Sequence, residues 1–307
     1  MKRLITRSDF DGLVCAMILK EMKLIEDIKF VHPKDMQDGL IEVTSEDIST
    51  NLPYVEGIGL AFDHHLSELS RLSGSRENHI IDPSAPSAAR VVYNHYKKGD
   101  NLKRISEEIM TAVDKADSAK YVLSEILDPE GWTLMNFLMD ARTGLGRFRD
   151  FTISNYQLMM KLVDFCLEHP IADVLELPDV KERVTLYFEQ QELFKKQIEK
   201  VHAMHGKTIV LHLKDEDPIY AGNRFMVYAM YPEAEISVHV MWGLKKQNTV
   251  LTIGKSIINK NSQVNIGEIC LKYGGGGHKN AGTCQIANDA VDEILPKILK
   301  ELDENSI

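Results

Sequence analysis

The sequence of 307 residues lacks the features of a membrane protein or a secreted protein. No apolar run approaches the ~20 residues needed to span a bilayer, and even Leu13–Leu19 is bounded by Asp11 and Lys20. The segment Met1–Ile5 has no apolar signal core followed by a small-residue cleavage site. We therefore expect a cytoplasmic protein with no membrane partner.

Cysteine, positive charge and aromatic residues are also scarce. The four cysteines are spaced neither as metal ligands nor as disulfide pairs, so we expect buried thiols in a reducing compartment. Lysine and arginine number 36 against 46 aspartates and glutamates, and a net charge of −10 argues against binding long duplex DNA. Aromatic residues make up 7% of the chain and form no stacking array for extended single strands. A small phosphorylated ligand held by local positive charge or by a metal is compatible with this composition.

Short apolar runs alternate with helical patterns in the N-terminal half, which predicts an α/β fold with a mostly parallel sheet flanked by helices. The strand candidates are Leu4–Thr6, Phe30–His32, Ile48–Thr50, Gly59–Phe62 and His79–Ile81. In such sheets the functional residues lie on loops beyond the carboxyl ends of the strands. Asp9, Asp11 and Asp63 occupy that position.

A long helix is predicted to divide the chain. Its apolar seam, close to a ~3.5-residue repeat, consists of Val180, Val184, Tyr187, Phe194, Ile198 and Val201. One helix of ~26 residues would carry this seam, which suits either a homodimer contact or packing on its own domain. We expect an N-terminal domain over residues 1–180, a connector helix over residues 181–206 and a smaller C-terminal α/β domain over residues 207–307.

Two acidic motifs indicate a metal site. Asp63-His64-His65 follows an apolar strand and offers oxygen and nitrogen ligands for Mn²⁺, Zn²⁺ or a related ion. Asp9-Phe10-Asp11-Gly12 places two more carboxylates on a strand-end loop, where they would either converge on the same centre or cap the next helix. Because both motifs are expected at one edge of the sheet, we favour the metal over a capping or solvated cluster.

A run of glycines, Gly274-Gly275-Gly276-Gly277-His278, follows a helical pattern in the C-terminal domain. It would serve either as a linker or as a concavity of N–H groups that binds an anion, and a linker inside a domain is the less favoured interpretation. Gly254-Lys255-Ser256 does not complete a P-loop, because Thr249 stands where the first glycine belongs.

In this order, the Asp-x-Asp-Gly, Asp-His-His and Gly-Gly-Gly-Gly-His motifs resemble those of the DHH phosphoesterase superfamily with its associated C-terminal substrate domain. The resemblance extends from Thr6 to about Gln285. The superfamily includes RecJ-like exonucleases, oligoribonucleases that also act on pAp, cyclic-dinucleotide phosphodiesterases and exopolyphosphatase-type proteins. Arg142–Arg149 and Gly222–Phe225 resemble its exopolyphosphatase-related subgroup.

The resemblance implies a hydrolase in which a metal-activated water attacks phosphorus. It implies a short oligonucleotide or a pAp-like monoester as substrate, with inorganic polyphosphate as the alternative. The implied metal ligands are Asp9, Asp11, Asn51, Asp63, His64 and Asp117, with Asp114 as the alternative to Asp117. His65 would act near the leaving group as an acid or a charge stabiliser.

The resemblance also implies that the glycine run and His278 hold the far phosphate or nucleotide end of the substrate. Basic residues in both domains add candidate phosphate ligands, although about half of such a set is ordinarily solvated surface. These residues are Arg142, Arg147 and Arg149 in the first domain and Arg224, Lys255 and Lys260 in the second.

Two positions depart from the superfamily pattern. The histidine that usually begins the first motif is replaced by Ile5 or Arg7, and Asn51 is the best match to the bridging aspartate of the second motif. We therefore expect one firmly held divalent ion, Mn²⁺ by preference, with Arg7 supplying part of the charge of a second ion. The alternatives are a weak two-metal site bridged by Asn51 and a catalytically silent phosphate or nucleotide sensor.

Overall fold

The computed structural model of the protein describes residues 2–72 and 74–304, except for the side chain of Ser70. The predicted domain ends at residues 1 and 307 lie outside this range. The first sheet consists of β1 (Lys2–Arg7), β2 (Ile25–Val31), β3 (Asp47–Thr50), β4 (Leu60–Asp63) and β5 (His79–Ile81). Its strand order is β2-β1-β3-β4-β5 and every neighbouring pair is parallel, which confirms the predicted parallel sheet.

The direction of strand addition reverses at β1, since β2 lies on one side of it and β3 on the other. Such a reversal opens a crevice beyond the carboxyl ends of the two strands, and α/β sheets bind ligands there. Asp9 follows β1, Asn51 follows β3, and Asp63 is the last residue of β4. The chain topology therefore brings the predicted motifs to one edge of the sheet.

Helices cover this sheet and fill the segment after it. They are α1 (Phe10–Glu21), α2 (Pro33–Gln37), α3 (Leu66–Arg71), α4 (Ala88–Tyr96), α5 (Glu107–Asp117), α6 (Leu123–Leu127), α7 (Gly131–Met139), α8 (Asn155–Glu168), α9 (Ile171–Glu176) and α10 (Pro178–Val201), with 3₁₀ turns at Ala141–Thr143 and Leu145–Arg147. Every residue of α1 from Phe10 to Leu19 is buried, and apart from Asp11 these residues have no polar side chain, as expected of a helix enclosed on all sides. None of the described helices is both long and apolar enough to cross a bilayer.

The chain divides into two compact units. One comprises residues 1–121 and 129–186, and the other comprises residues 122–128 and 187–307. The division falls inside α10, and the short helix α6 belongs to the second unit. α10 ends at Val201 instead of reaching residue 206, because the next four residues form β6 (His202–His205) and pair with β7 (Thr208–His212).

The seam of α10 is buried within the chain. Val180, Tyr187 and Ile198 are at most 1% exposed. Most of the seam is therefore packed against this chain itself, and the homodimer contact stays a prediction.

The second unit contains a mixed sheet. Its remaining strands are β8 (Ile236–Trp242), β9 (Thr249–Lys255), β10 (Gly276–His278) and β11 (Ala281–Ile286), and its helices are α11 (Met226–Met230), α12 (Ile266–Lys272) and α13 (Val291–Glu304), with a 3₁₀ turn at Leu244–Lys246. The order is β10-β11-β9-β8-β7-β6, with β7 and β8 parallel and the other pairs antiparallel. Residues of β8, β9 and β11 form one buried apolar cluster with residues of α12 and α13. All four cysteines of the chain are free and buried, as expected.

The glycine run is part strand instead of the turn that its composition suggests. Gly274 lies two residues after the end of α12 with φ of +74°, and Gly276–His278 forms β10. A Cβ atom on Gly275 would lie 2.1 Å from the Thr283 carbonyl oxygen, and one on Gly277 would lie 2.3 Å from that of Ala281. Two of the four glycines are therefore required by the close approach of β10 to β11.

Gly276 differs from its neighbours, because a Cβ atom on it would meet no heavy atom within 4 Å. Gly275→Ala should lower the free energy of unfolding by about 1–3 kcal/mol, since the methyl group collides with main chain. Gly276→Ala is the matched control and should change it by less than about 0.5 kcal/mol. Denaturant unfolding of both variants measures this difference, and equal losses would contradict the packing role of Gly275.

Candidate metal centre

Three predicted ligands come together at the sheet edge. One ligand atom each from Asp11, His64 and Asp117 lies within 4.8 Å of the others, which is close enough for one metal ion. Asp11 lies in the first turn of α1, His64 directly follows β4, and Asp117 is the last residue of α5.

The Asp11 carboxylate is buried at 3% exposure and is held by main-chain N–H groups. The N–H groups of Ala88 and Ala89, at the start of α4, donate to its two oxygens at 3.0 and 2.7 Å. Burial, together with the nearby carboxylates of Asp117 and Asp9, raises the pKa of Asp11 to about 8. The site therefore concentrates negative charge that a cation would neutralise.

The His64 ring is oriented as a ligand. Its Nδ1 lies 3.2 Å from the carbonyl oxygen of Ala85, which can only accept, so Nδ1 carries the hydrogen and Nε2 is the coordinating atom. Nε2 lies 3.0 Å from Asp117 Oδ2, but it is buried and has no aligned hydrogen-bond partner among the described residues. Burial lowers the pKa of His64, yet the carboxylates of Asp117 and Asp11 raise it to about 9. A metal ion would displace that proton on binding.

Asp63 positions the second histidine. Its Oδ1 lies 2.6 Å from His65 Nδ1 and also accepts the N–H of His64 at 2.8 Å. Burial lowers the pKa of His65, but the Asp63 carboxylate outweighs this effect and raises it. Asp63 therefore favours a protonated imidazole at position 65.

Asp9 lies outside the three-residue group. Its Oδ1 caps α1 by accepting the N–H of Gly12 at 2.9 Å, and the same oxygen accepts from Asn51 Nδ2 at 3.3 Å. Its Oδ2 pairs with Arg7 Nε at 2.9 Å. Burial raises the pKa of Asp9, although the charge of Arg7 opposes the shift. Both oxygens are thus engaged by protein groups, as the capping alternative implies.

The carboxylate of Asp114 is bound by residues outside the three-residue group. It accepts from Arg90 Nε at 2.8 Å and from Ser87 Oγ at 2.7 Å. The structure therefore places Asp117, and not Asp114, beside His64.

The residues fit a divalent metal ion. Three buried polar atoms of the predicted ligand set have no hydrogen-bond partner within the described part of the chain: Asn51 Oδ1, Asp63 Oδ2 and His64 Nε2. Buried polar atoms are normally satisfied, so these three suggest a further polar or charged partner. Mixed carboxylate and imidazole donors suit Mn²⁺, Zn²⁺ or a related ion.

Arg142 acts on this site through its charge. Its Nε lies 2.7 Å from Asp140 Oδ1. Desolvation lowers the pKa of Arg142, but Asp140, and more weakly Asp9 and Asp117, raise it. Arg147 instead folds over Gly144, where an added Cβ would lie 1.8 Å from its Nη1.

Of the predicted cations of the second unit, Arg224 and Lys255 are partly buried, whereas Lys260 is exposed. Burial and the charge of Arg224 lower the pKa of His239 to about 4, so this imidazole is neutral. Burial and neighbouring Lys279 lower the pKa of Lys255. His278 is exposed at the end of β10. Their roles in substrate binding stay predictions.

Sequence reasoning missed the main-chain groups that orient Asp11 and His64. These are the carbonyl of Ala85 and the N–H groups of Ala88 and Ala89. The sequence feature that could have indicated these groups is Ser87, a helix-capping residue directly before an apolar helical pattern.

Comparison with known proteins identifies relatives among solved structures. No family model and no curated protein matches the chain. The pGpG-specific phosphodiesterase PggH from Vibrio cholerae is 53% identical, with 99% of this chain and 100% of that chain covered and a TM-score of 0.84. An exopolyphosphatase-related protein from Bacteroides fragilis is 9% identical, with 99% and 93% covered and a TM-score of 0.54. RecJ from Thermus thermophilus in complex with Mn²⁺ is 14% identical, with 99% and 52% covered and a TM-score of 0.51.

The last two proteins share only the fold with this chain, because their sequence identities are low. The similarity to PggH, in contrast, extends over the whole length of both chains. The chain belongs to the DHH phosphoesterase superfamily. The resemblance drawn from the three motifs is confirmed, and the protein is a phosphoesterase.

The two aspartates of α5 provide a direct test of the ligand group. Asp117→Asn should weaken Mn²⁺ binding at least about tenfold, because it removes a charged group within ligand distance. Asp114→Asn should retain wild-type affinity but lower stability by about 1.5–3 kcal/mol, because it loses charged hydrogen bonds to Arg90. Calorimetric Mn²⁺ titration and denaturant unfolding measure the two effects. Weaker binding in Asp114→Asn alone would reverse the assignment.

Proposed function

We propose that the protein is a phosphodiesterase that cleaves pGpG and closely related 5′-phosphorylated dinucleotides to mononucleotides. The observation that carries this proposal is the 53% identity to a pGpG-specific phosphodiesterase across the full length of both chains. The net charge of −10 and the lack of an aromatic stacking array also favour a short substrate over a long strand.

Asp11, His64 and Asp117 are the proposed metal ligands, with Asp63 adjacent to them. A divalent ion bound there would activate a water molecule and polarise a phosphoryl oxygen. Asp63 fixes Nδ1 of His65 and raises its pKa, and the protonated imidazole would donate a hydrogen bond from Nε2. In our proposal it donates to the phosphoryl group or to the leaving oxygen.

The first motif supports a site that holds one ion firmly, with Mn²⁺ as the proposed metal. Arg7 and Asn51 both bind the Asp9 carboxylate, so Asp9 already has a cationic partner and a neutral donor. A guanidinium can stabilise negative charge on a phosphate, but it cannot deprotonate water at neutral pH. Arg7 therefore replaces the charge of a second ion and not its nucleophile-generating role.

Phosphate binding is assigned to several basic residues and to the glycine run. Arg142 is favoured in the first unit because its charge interacts with Asp9 and Asp117. In the second unit we propose the exposed main chain around Gly276 together with His278. The remaining proposed phosphate ligands are Arg147, Arg224 and Lys255.

A substrate panel tests the proposed function. Purified protein with Mn²⁺ or Mg²⁺ should hydrolyse pGpG to two molecules of GMP with a kcat of about 1–10³ s⁻¹, and EDTA should abolish turnover. The panel includes pApA, pAp, cyclic di-GMP and polyphosphate, with chromatography of the products as the measurement. Faster turnover of polyphosphate or of pAp would contradict the dinucleotide assignment. Tight pGpG binding without turnover would indicate a sensor.

Metal stoichiometry tests the single-ion site. Elemental analysis and anomalous scattering should find one fully occupied ion per chain. Arg7→Met should lower kcat by about 10²–10³-fold with unchanged metal content, because it removes a positive charge directed at developing negative charge. Arg7→Lys should recover part of that loss. Two fully occupied ions that share a ligand would refute the single-ion site.

A further inference from the structure

The first unit contains a small cavity that the proposed chemistry does not use. Its volume is about 210 Å³, below the roughly 300–1,000 Å³ of pockets that hold drug-sized ligands. Its apolar lining comes largely from α7 and α8 and includes Met135, Leu138, Met139, Leu158 and Met159. Such a space suits one small, largely apolar ring system.

Methionine is unusually frequent in this lining. Its side chain is unbranched and polarisable, and its sulfur makes favourable contacts with aromatic rings. Met135 and Met159 are almost completely buried in their helices, so their side chains form fixed parts of the wall. The lining is therefore matched to a planar aromatic group.

The cavity also has an oriented hydrogen-bond donor. Asn155 Oδ1 accepts from Nε and Nη2 of Arg183 at 3.1 and 3.0 Å, and Arg183 is itself only 2% exposed. These two bonds fix the amide and polarise its NH₂ group. Asn155 is exposed, and among the described residues its Nδ2 has no hydrogen-bond partner, so it can donate to an acceptor on a ligand that displaces solvent. Purine bases present N7 as an acceptor, and guanine adds O6.

Two lining residues connect the cavity to residues beside the metal centre. Ser8, which lines it, lies between Arg7 and Asp9 in the chain. Asp140, another lining residue, pairs with Arg142, whose charge acts on Asp9. A nucleotide with its phosphate at the metal centre therefore has this cavity as a neighbouring site for its base.

We propose that the cavity receives one purine base of the dinucleotide substrate, with Asn155 Nδ2 donating to the purine edge. The inference rests on the proposed dinucleotide phosphodiesterase function and adds a base-binding site to it. The base would orient the substrate, and the cavity would discriminate against phosphate compounds that have no base.

Gly146, at the cavity mouth, offers a specific way to obstruct it. A Cβ atom on Gly146 would meet only Asn155 Nδ2, at the ordinary distance of 3.9 Å, so a side chain fits there without displacing main chain. Gly146→Leu should lower kcat/KM for pGpG about 10- to 100-fold, because the base loses its apolar contacts in the cavity. Ala172→Leu, at an exposed position of α9 away from the cavity, is the matched control and should leave kcat/KM unchanged.

Two pGpG analogues, each lacking one base, identify the occupant. Wild-type protein should lose about 10- to 100-fold in kcat/KM with the analogue that lacks the base bound in the cavity. Gly146→Leu should then hydrolyse this analogue at the wild-type rate. Asn155→Asp keeps an oxygen for Arg183 but replaces the donor, and should reduce hydrolysis of pGpG without reducing that of the analogue. Mn²⁺ titration should give wild-type affinity for every variant.

Different results would refute the base site and the phosphodiesterase function. If wild-type protein cleaves pGpG and Gly146→Leu is unaffected, the base site is refuted while the phosphodiesterase function stands. Equal loss by Gly146→Leu on pGpG and on both analogues also refutes it. If wild-type protein cleaves no dinucleotide, the proposed function itself fails.

Discussion

The buried carboxylate of Asp11 is the constraint on which the rest of the site depends. An ionised carboxylate is costly to bury unless it is hydrogen-bonded and its charge is offset. The first condition is met by two N–H groups at the start of α4. The second requires a cation, supplied by protonated His64 or by a metal ion. The same carboxylate therefore joins α1 to α4 and makes the centre selective for positive charge.

Much of the site geometry follows from how β-strands in a parallel sheet end at one edge. The alternation of short apolar runs with helical patterns predicted the five strands and the sheet edge at which the motifs meet. The resemblance favoured Asp117 over Asp114, but helix geometry alone does not choose between them, because residues three apart on a helix share a face. Only the positions of Arg90 and Ser87, which bind Asp114, distinguish them.

Main-chain contacts account for most of what sequence reasoning missed. The carbonyl that fixes the His64 tautomer belongs to Ala85, and an alanine side chain carries no sign of that role. The glycine run was interpreted through its N–H groups, whereas Gly275 and Gly277 are required by steric contact with β11. The end of α10 was also misplaced, because residues 202–205 are used by a strand whose partner is formed later in the chain.

The burial of Phe10–Leu19 in α1 distinguishes positions that can change during evolution from positions that cannot. A substitution on this helix that moves Asp11 must also repack the centre of the first unit, since ten successive residues are inaccessible to solvent. Gly146, in the turn at Leu145–Arg147, is under weaker packing constraints, because it is exposed and a Cβ atom on it would meet only Asn155 Nδ2, at 3.9 Å. Relatives with new substrate preferences should therefore diverge at such turns, while the residues that carry out hydrolysis persist.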